Sequence, residues 1–509
     1  MATRPLPMFL GTPCAFRGRG VRGRGGDARR NQCVCRAVPD DDGVVVIGSD
    51  SGSSETQRGV SIQDFIAAFE TSTSDSHSDA NPSGWVDLTQ SESRLLEGKE
   101  TARGWALGGI ERKSPTNGAE LKQECARVLV ESGFGTPFVD GWLDSTWLTV
   151  LGSGGESNAV EGVVAVCLAL EKEGDGTDKS FGVVILAPFR PIWPSQNSHL
   201  TSDAVIVSVD PESELFQGDV GAALSTAEHS LLENFGVDTV AVVVVGHPSP
   251  VTGKVLTSRE ISTLHNWCES RDAHCVVDET QAQAVNMIDR DVDGLLSSSE
   301  KKKKKQHWGR DAGFASTTSL WPKTESETNI KKHVVASFGA SAGVARGKTT
   351  PFLLTRDSGV KNSCISDPYA SALQVMLADG GVAVRESFGV HCELLNERRA
   401  FTINELKNLG IATGPSNSGG IDATALDGGL HVMVDLRPVL GVNNSREGEK
   451  KLWDQMANTF HVLLVPGGLC GTREPGWFRL QISGEEASLH LGLERIELAV
   501  RNANDTGCG

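Results

Sequence analysis

The residues best placed to do chemistry sit at the end of an apolar run. Cys275 to Val277 is followed at once by Asp278 and Glu279, within Asp272-Ala-His-Cys-Val-Val-Asp-Glu-Thr-Gln281. Such a run reads as a central parallel strand covered on both faces, and in an open α/β sheet ligand-binding groups collect at the carboxyl ends of strands. A carboxylate buried there is costly unless a cation meets it. The plainer alternative is a solvated acid that caps the next helix, so what Asp278 faces decides its meaning. A second feature is the turn Gly152-Ser-Gly-Gly155 ahead of a helical pattern at Ala159 to Leu170. Backbone N–H groups at a helix N-terminus suit a phosphate. The spacing is neither that of a P-loop nor that of a dinucleotide fingerprint, which argues against a Rossmann-type dehydrogenase.

The elements that must hold these residues follow a repeating pattern. Strands are expected at Trp147 to Leu151, Phe181 to Ala187, Ala204 to Val209, Val240 to Val245, His274 to Val277 and His333 to Ser337, with Gly-rich turns and helical stretches between them. Ala119 to Ser132 is one such helix, after the turn Ser114-Pro-Thr-Asn-Gly118. Strands that alternate with helices imply a doubly wound, mostly parallel sheet. From the helix that begins at Tyr369 to Leu377, an α+β segment runs on through strands at Gly429 to Leu436, Val462 to Val465 and Trp477 to Ile482, and a final helix at Glu485 to Asn502.

Composition narrows the classes. The net charge is −17, the wrong sign for a nucleic-acid binder, whose domain carries a basic face. No apolar run approaches the roughly 20 residues of a membrane span. The 11 Cys are scattered apart from Cys33-Val-Cys35, without the paired Cys/His clusters of a metal site. Residues 1–36 hold eight Arg and one acid, Asp27, and no continuous apolar segment, the pattern of an organelle transit peptide to plastid or mitochondrion rather than of a secretion signal or an RG-type tail. Residues 37–83, rich in Asp, Ser and Thr with one amphipathic piece at Ile62 to Phe69, read as a disordered linker. Globular sequence is expected from Gly84. Residues 297–324, with the run Lys301 to Lys305, read as a solvated, disordered insertion.

Taken together these pieces resemble the fold-type I pyridoxal-phosphate enzymes, and within them the class I and II aminotransferases and the 1-aminocyclopropane-1-carboxylate synthases, over about Gly84 to Val500. Glu474-Pro-Gly-Trp-Phe-Arg-Leu480 is similar to the synthase motif around its substrate-carboxylate arginine. Val465-Pro-Gly-Gly468, Gly429-Leu-His-Val-Met-Val-Asp-Leu-Arg-Pro438 and His333-Val-Val-Ala-Ser337 match as well, and Asp278-Glu279 falls on an aspartate-glutamate motif. The resemblance implies pyridoxal 5′-phosphate as cofactor and an amino acid as substrate. It implies an N-terminal arm (84–104) joined to a small C-terminal domain (368–509), a large cofactor domain (105–367), and a homodimer, or a heterodimer with a paralogue. Asp278 would pair with the pyridine nitrogen and keep it protonated. Arg479 would grip the substrate carboxylate bidentately. Glu92 would stand near the substrate, Ser153, Gly154 and Gly155 at the cofactor phosphate, Ser337 in the serine-containing loop, and Arg346 or Lys348 at the phosphate-binding arginine, according to register.

Other positions depart from the pattern. In the gapless register from His333, Ala340 stands where the family has the lysine that anchors the cofactor, and a slipped register supplies no lysine there either. Gln281 replaces the tyrosine after Asp278, and His247-Pro-Ser-Pro-Val251 replaces an asparagine-proline motif. Arg190, in Ala187-Pro-Phe-Arg-Pro191, takes the place of the ring-stacking aromatic, with Phe189 adjacent. Thr116 replaces a tyrosine that reaches the partner subunit's site, and Tyr369 is the single tyrosine of the chain. The anchoring lysine is also the base that moves the α-proton, so its loss removes two steps. Two readings follow: an aminotransferase- or synthase-like protein that binds cofactor and amino acid without that lysine, or a non-catalytic member that serves as binding or regulatory partner of an active paralogue.

Overall fold

The computed structural model describes residues 44–47, 59–78, 80–89, 93–95, 148–150, 156–175, 179–190, 204–213, 215–284, 316–321, 332–337, 352–363, 382–414, 428–440 and 444–506, which all fall in one compact unit, Cys35–Gly509. Its strands are β1 (Val44–Ile47), β2 (Val86–Asp87), β3 (Leu148–Val150), β4 (Phe181–Leu186), β5 (Ala204–Val209), β6 (Thr239–Gly246), β7 (His274–Glu279), β8 (His333–Ser337), β9 (Phe352–Thr355), β10 (Ala412–Thr413), β11 (His431–Asp435), β12 (Val462–Leu463), β13 (Val465–Pro466) and β14 (Trp477–Gln481). Its helices are α1 (Ile62–Ser74), α2 (Glu156–Asp175), α3 (Val220–Phe235), α4 (Ser258–Ser270), α5 (Ser358–Ser363), α6 (Val382–Asn408), α7 (Arg437–Leu440), α8 (Arg446–Asn458) and α9 (Glu486–Thr506).

Eight strands form the main sheet in the order β1-β5-β4-β6-β7-β8-β9-β3. The five inner strands from β5 to β8 run parallel. β1 joins β5 antiparallel at one edge, while β9 and β3 reverse direction at the other. β4, β7 and the valines of β6 are buried throughout, which is why these segments read as continuous apolar runs rather than alternating ones. The expected bounds of the strands at 204–209 and 333–337 match the structure. The expected end of β7 does not: Asp278 and Glu279 are its last two residues, paired with Gly246 and Ala336, and with Ser337.

A second sheet, β10-β11-β14-β13, is antiparallel, and β12 pairs in parallel with β2. Residues from α8, α9 and the β2 segment close one apolar core around it, including Val86, Leu88, Trp453, Phe478 and Ile496. The two sheets meet where the turn after β6 reaches the segment ahead of β11. Gly253, at φ +73°, lies so close to Gly428 that a Cβ would stand 1.8 Å from its carbonyl oxygen. Only glycine fits there.

Two segments expected to be disordered are ordered in part. Within 37–83, Ile62–Ser74 is a helix with a capping box: Ser61 Oγ accepts from Asp64 N (3.1 Å) and Asp64 Oδ2 accepts from Ser61 N (3.3 Å). Val60 and Phe65 enter the small-sheet core, with the Phe65 ring 6.5 Å from that of Trp453, and Lys450 pairs with Asp64 at 2.9 Å. β1 likewise extends the main sheet. The polar composition masked an apolar face too short to dominate a window. Within 297–324, Ser316–Trp321 form a turn that closes on Glu279. The expected helices at 119–132 and 369–377, the leader at 1–36 and the run Lys301 to Lys305 lie outside the described residues.

Because α1 owes its start to the Ser61 cap, Ser61→Ala is expected to lower stability by about 1 kcal/mol in a denaturant melt, while Thr71→Ala, an exposed helix position, leaves the midpoint nearly unchanged.

Candidate functional site

The end of β7 carries two carboxylates that face opposite sides of the sheet, as alternation along a strand requires. Glu279 is buried and accepts from Ser316 Oγ (2.7 Å), Thr317 N (2.7 Å) and Thr317 Oγ1 (2.8 Å). Burial raises its pKa to about 7 even against these three donors, and the Asp278 charge pushes the same way. Glu279 is therefore a structural clamp on the 316–321 turn.

Asp278 is 2% exposed. Its Oδ1 accepts from Thr280 N (3.0 Å) and from the Thr280 hydroxyl, whereas Oδ2 accepts no hydrogen bond. The cation that a buried acid needs is Arg190. Its Nε stands 3.7 Å from Asp278 Oδ2, both side chains being 2% exposed, and its Nη2 donates to Thr280 Oγ1 at 2.7 Å. Arg190 thus reaches Asp278 directly and through Thr280. The arginine was visible in the sequence only as a departure at an aromatic position. A charged residue set in Ala187-Pro-Phe-Arg-Pro191 was the available signal, since a buried arginine calls for a buried acid.

The segment that carries Arg190 leaves β4 and crosses to the small sheet. Phe189 N donates to Cys470 O at 2.9 Å, and its ring lies against Gly471, where a Cβ would meet Phe189 Cε1 at 2.3 Å. Beside that turn runs β14 with Arg479, 2% exposed. Arg479 Nη2 donates to Thr89 O (2.7 Å), while Nε and Nη1 have no hydrogen-bond partner. Burial lowers its pKa to about 10, with the Arg190 charge acting in the same direction, so it remains a cation at neutral pH.

The motif around Arg479 is mostly scaffold. β14 is held between β11 and β13, opposite Met433 and Val465. Gly476, at φ +91°, gives its N–H to the buried Glu449 Oε2 at 2.7 Å. Arg437 chelates Asp435 (Nε to Oδ1 2.9 Å, Nη2 to Oδ2 2.8 Å), pairs with Glu474 and lies 4.7 Å over the Trp477 ring. The segments Gly429 to Pro438 and Glu474 to Leu480, two separate motifs in the sequence, therefore form one clamp that fixes Arg479.

Gln281 is also 2% exposed, and neither amide atom has a hydrogen-bond partner. A buried polar group left in this state costs about 1–3 kcal/mol. Asp278 Oδ2, the two Gln281 amide atoms and two Arg479 nitrogens are five such atoms, and buried polar groups of this kind mark a place where a polar ligand or water completes the bonding. His247 is buried, its ring Nδ1 accepting the Leu256 N–H at 3.1 Å and its backbone N–H donating to the Asp278 backbone carbonyl at 2.8 Å. Ser337 belongs to β8 by its backbone, opposite Glu279. Lys332, at the start of β8, is committed to Glu171 (2.7 Å) and Asp272 (2.9 Å), and Lys254 to Glu212 and Glu260. Glu92, Ser153, Gly154, Gly155, Ala340, Arg346, Lys348 and Thr116 lie outside the described residues. Among the described residues there is no cluster of metal ligands, and no helix long and apolar enough to cross a membrane.

Residues 189–496 match the family model for aminotransferase class I and II. The chain is 23% identical to 1-aminocyclopropane-1-carboxylate synthase 5 of Arabidopsis thaliana over 276 residues, which cover 52% of this chain and 51% of that protein. It is 22% identical to synthase 6 of Oryza sativa subsp. japonica over 397 residues, 78% of this chain and 65% of the relative. The chain thus spans about half the length of most of the curated relatives it matches. Its fold is similar to that of an aminotransferase from Mycobacterium tuberculosis (TM-score 0.56, 14% identity, 89% of this chain and 100% of that one). It is also similar to aspartate aminotransferase from Thermus thermophilus with maleate (TM-score 0.55, 16% identity, 87% and 100%).

Glu279 holds its proton in the folded state at a pH where the unfolded chain, with an ordinary carboxyl near 4.5, has lost it. Its contribution is present below about 4.5 and is lost as pH rises toward about 7. Denaturant melts at pH 5 and pH 7.5 should therefore differ less for Glu279→Gln than for the wild type. An equal difference would show that Glu279 titrates normally.

Proposed function

The chain belongs to the class I and II aminotransferases, a pyridoxal-phosphate-dependent family, and from that membership we propose that its site binds pyridoxal 5′-phosphate at Asp278 and the carboxylate of an amino acid at Arg479, reversibly and without a lysine anchor. The observation that carries this reading is the set of buried polar atoms without partners. Asp278 Oδ2 is an acceptor that a pyridine N–H would satisfy, and Arg479 has two buried nitrogens, Nε and Nη1, without a hydrogen-bond partner. The residues present thus fit the cofactor at its ring nitrogen and the substrate at its carboxylate. When bound, pyridoxal phosphate supplies a ring that withdraws electrons from an attached amino acid.

The chain's own residues do the rest. Arg479 orients the amino acid through a two-point grip, held in place by the Glu449, Arg437 and Glu474 clamp. Desolvation strengthens that grip, because both free nitrogens are buried. Asp278 keeps a negative charge beside the ring, fixed by two hydrogen bonds from Thr280. Gln281 presents an amide that can donate or accept at the same end of β7.

In the gapless register, turnover would lack the family's lysine base. Ala340 stands at the lysine position in the gapless register, and Lys332 and Lys254 are both engaged in ion pairs. These substitutions favour a binding protein over an efficient transaminase or ring-closing lyase, one that works as a sensor or as the partner of a catalytically complete relative.

Isothermal titration of the full chain with a panel of L-amino acids, in the presence of pyridoxal phosphate, tests the reading. Wild type is expected to bind at least one of them, and Arg479→Ala to bind it about 10- to 100-fold more weakly, the worth of hydrogen bonds to a charged group. Arg479→Lys should lose most of the affinity as well, since an ammonium cannot make the two-point contact. Unchanged affinity in both variants would remove Arg479 from the site.

A further inference from the structure

We propose that Arg190 is an internal rival of the cofactor ring: it holds Asp278 in a closed ion pair, and this sets a low affinity of the chain for pyridoxal phosphate. The inference rests on the reading that Asp278 is the ring-nitrogen acceptor.

Three residues form one network. Thr280 gives its N–H and hydroxyl to Asp278 Oδ1, and its hydroxyl oxygen receives Arg190 Nη2 at 2.7 Å. Oδ1 is thereby used, so any further donor must come to Oδ2. Arg190 Nε stands 3.7 Å from that atom, outside hydrogen-bond range but within that of an ion pair. A pyridine N–H at ordinary bonding distance, about 2.8 Å, would share a small buried space with a guanidinium that cannot lose its proton. Two results follow. The ring must displace the guanidinium or lie against it, and the approach of a second cation to one carboxylate is opposed by repulsion that burial strengthens. A ring that does enter also finds the Asp278 carboxylate already facing the Arg190 guanidinium, and a second cation beside it lowers the preference for a protonated nitrogen.

The same arginine bears on the other end of the site. Its charge acts on Arg479, while Phe189, its neighbour, is pinned to Cys470 and Gly471 and keeps the segment in place. Arg190 is thus a buried charge that acts on both binding groups, and a specificity-determining residue rather than a catalytic one.

Titration of the full chain with pyridoxal 5′-phosphate, read by calorimetry and by the visible absorption of the cofactor, distinguishes the outcomes. Arg190→Phe removes the charge. Arg190→Gln also removes it but keeps a donor for Thr280 Oγ1, so it serves if the aromatic variant fails to fold, as circular dichroism would reveal. Either variant is expected to bind about tenfold more tightly than the wild type or better. The gain should vanish in Arg190→Gln combined with Asp278→Asn, because it acts through that carboxylate. Equal or tighter binding by the wild type, or a gain that persists in the double variant, would overturn the role of Arg190. No binding by any of the four proteins would overturn the reading of Asp278 on which it rests, and the inference with it.

Discussion

A carboxylate at the buried end of a parallel strand must be met by a positive charge, and the structure is arranged around how that demand is answered at Asp278. In the interior, an uncompensated aspartate is untenable, since the cost of desolvation exceeds what two neutral hydrogen bonds return. Here the answer comes from β4, two strands away, through Arg190 and the intervening hydroxyl of Thr280. The neighbouring Glu279 meets the same problem on the other face without a cation, by collecting three donors and a raised pKa. Two adjacent acids thus show two different solutions, and only one of them leaves a charged oxygen without a hydrogen bond.

The small sheet answers a different demand, that of holding an arginine dehydrated and aimed. Most of the residues that make the Glu474 to Leu480 segment distinctive do not touch a ligand. Gly476 lets the chain turn, Glu474 and Trp477 fasten to Arg437, and Glu449 ties the turn from below. Their joint effect is that Arg479 keeps one nitrogen on Thr89 and two unengaged. A rigid, buried fork of this kind is recognised through its geometry.

Much of the fold was legible. The apolar runs of β4 to β8 cannot be anything but covered strands, and their alternation with helices dictates a parallel sheet; β5 and β8 even kept their expected ends. Of the candidate site, two buried charged groups, Asp278 and Arg479, were legible, because such residues are conspicuous in apolar or motif-like surroundings. What stayed hidden depended on pairs distant in sequence. Nothing local in Ala187-Pro-Phe-Arg-Pro191 says that Arg190 meets an acid 88 residues away, and nothing in Ser316-Thr-Thr says that it grips Glu279. Helix α1 was read only as a short amphipathic piece in a linker for another reason: a polar, serine-rich composition outweighed a capping box and a short apolar face.

The most direct measurement is borohydride reduction of the full chain equilibrated with one equivalent of pyridoxal phosphate, followed by intact-mass and peptide-level mass spectrometry. A reversible site with no anchoring lysine predicts that the protein mass stays that of the polypeptide, with no lysine carrying a reduced cofactor. A stoichiometric adduct on one lysine would contradict it, by showing that another side chain has taken over the anchor that Ala340 cannot provide.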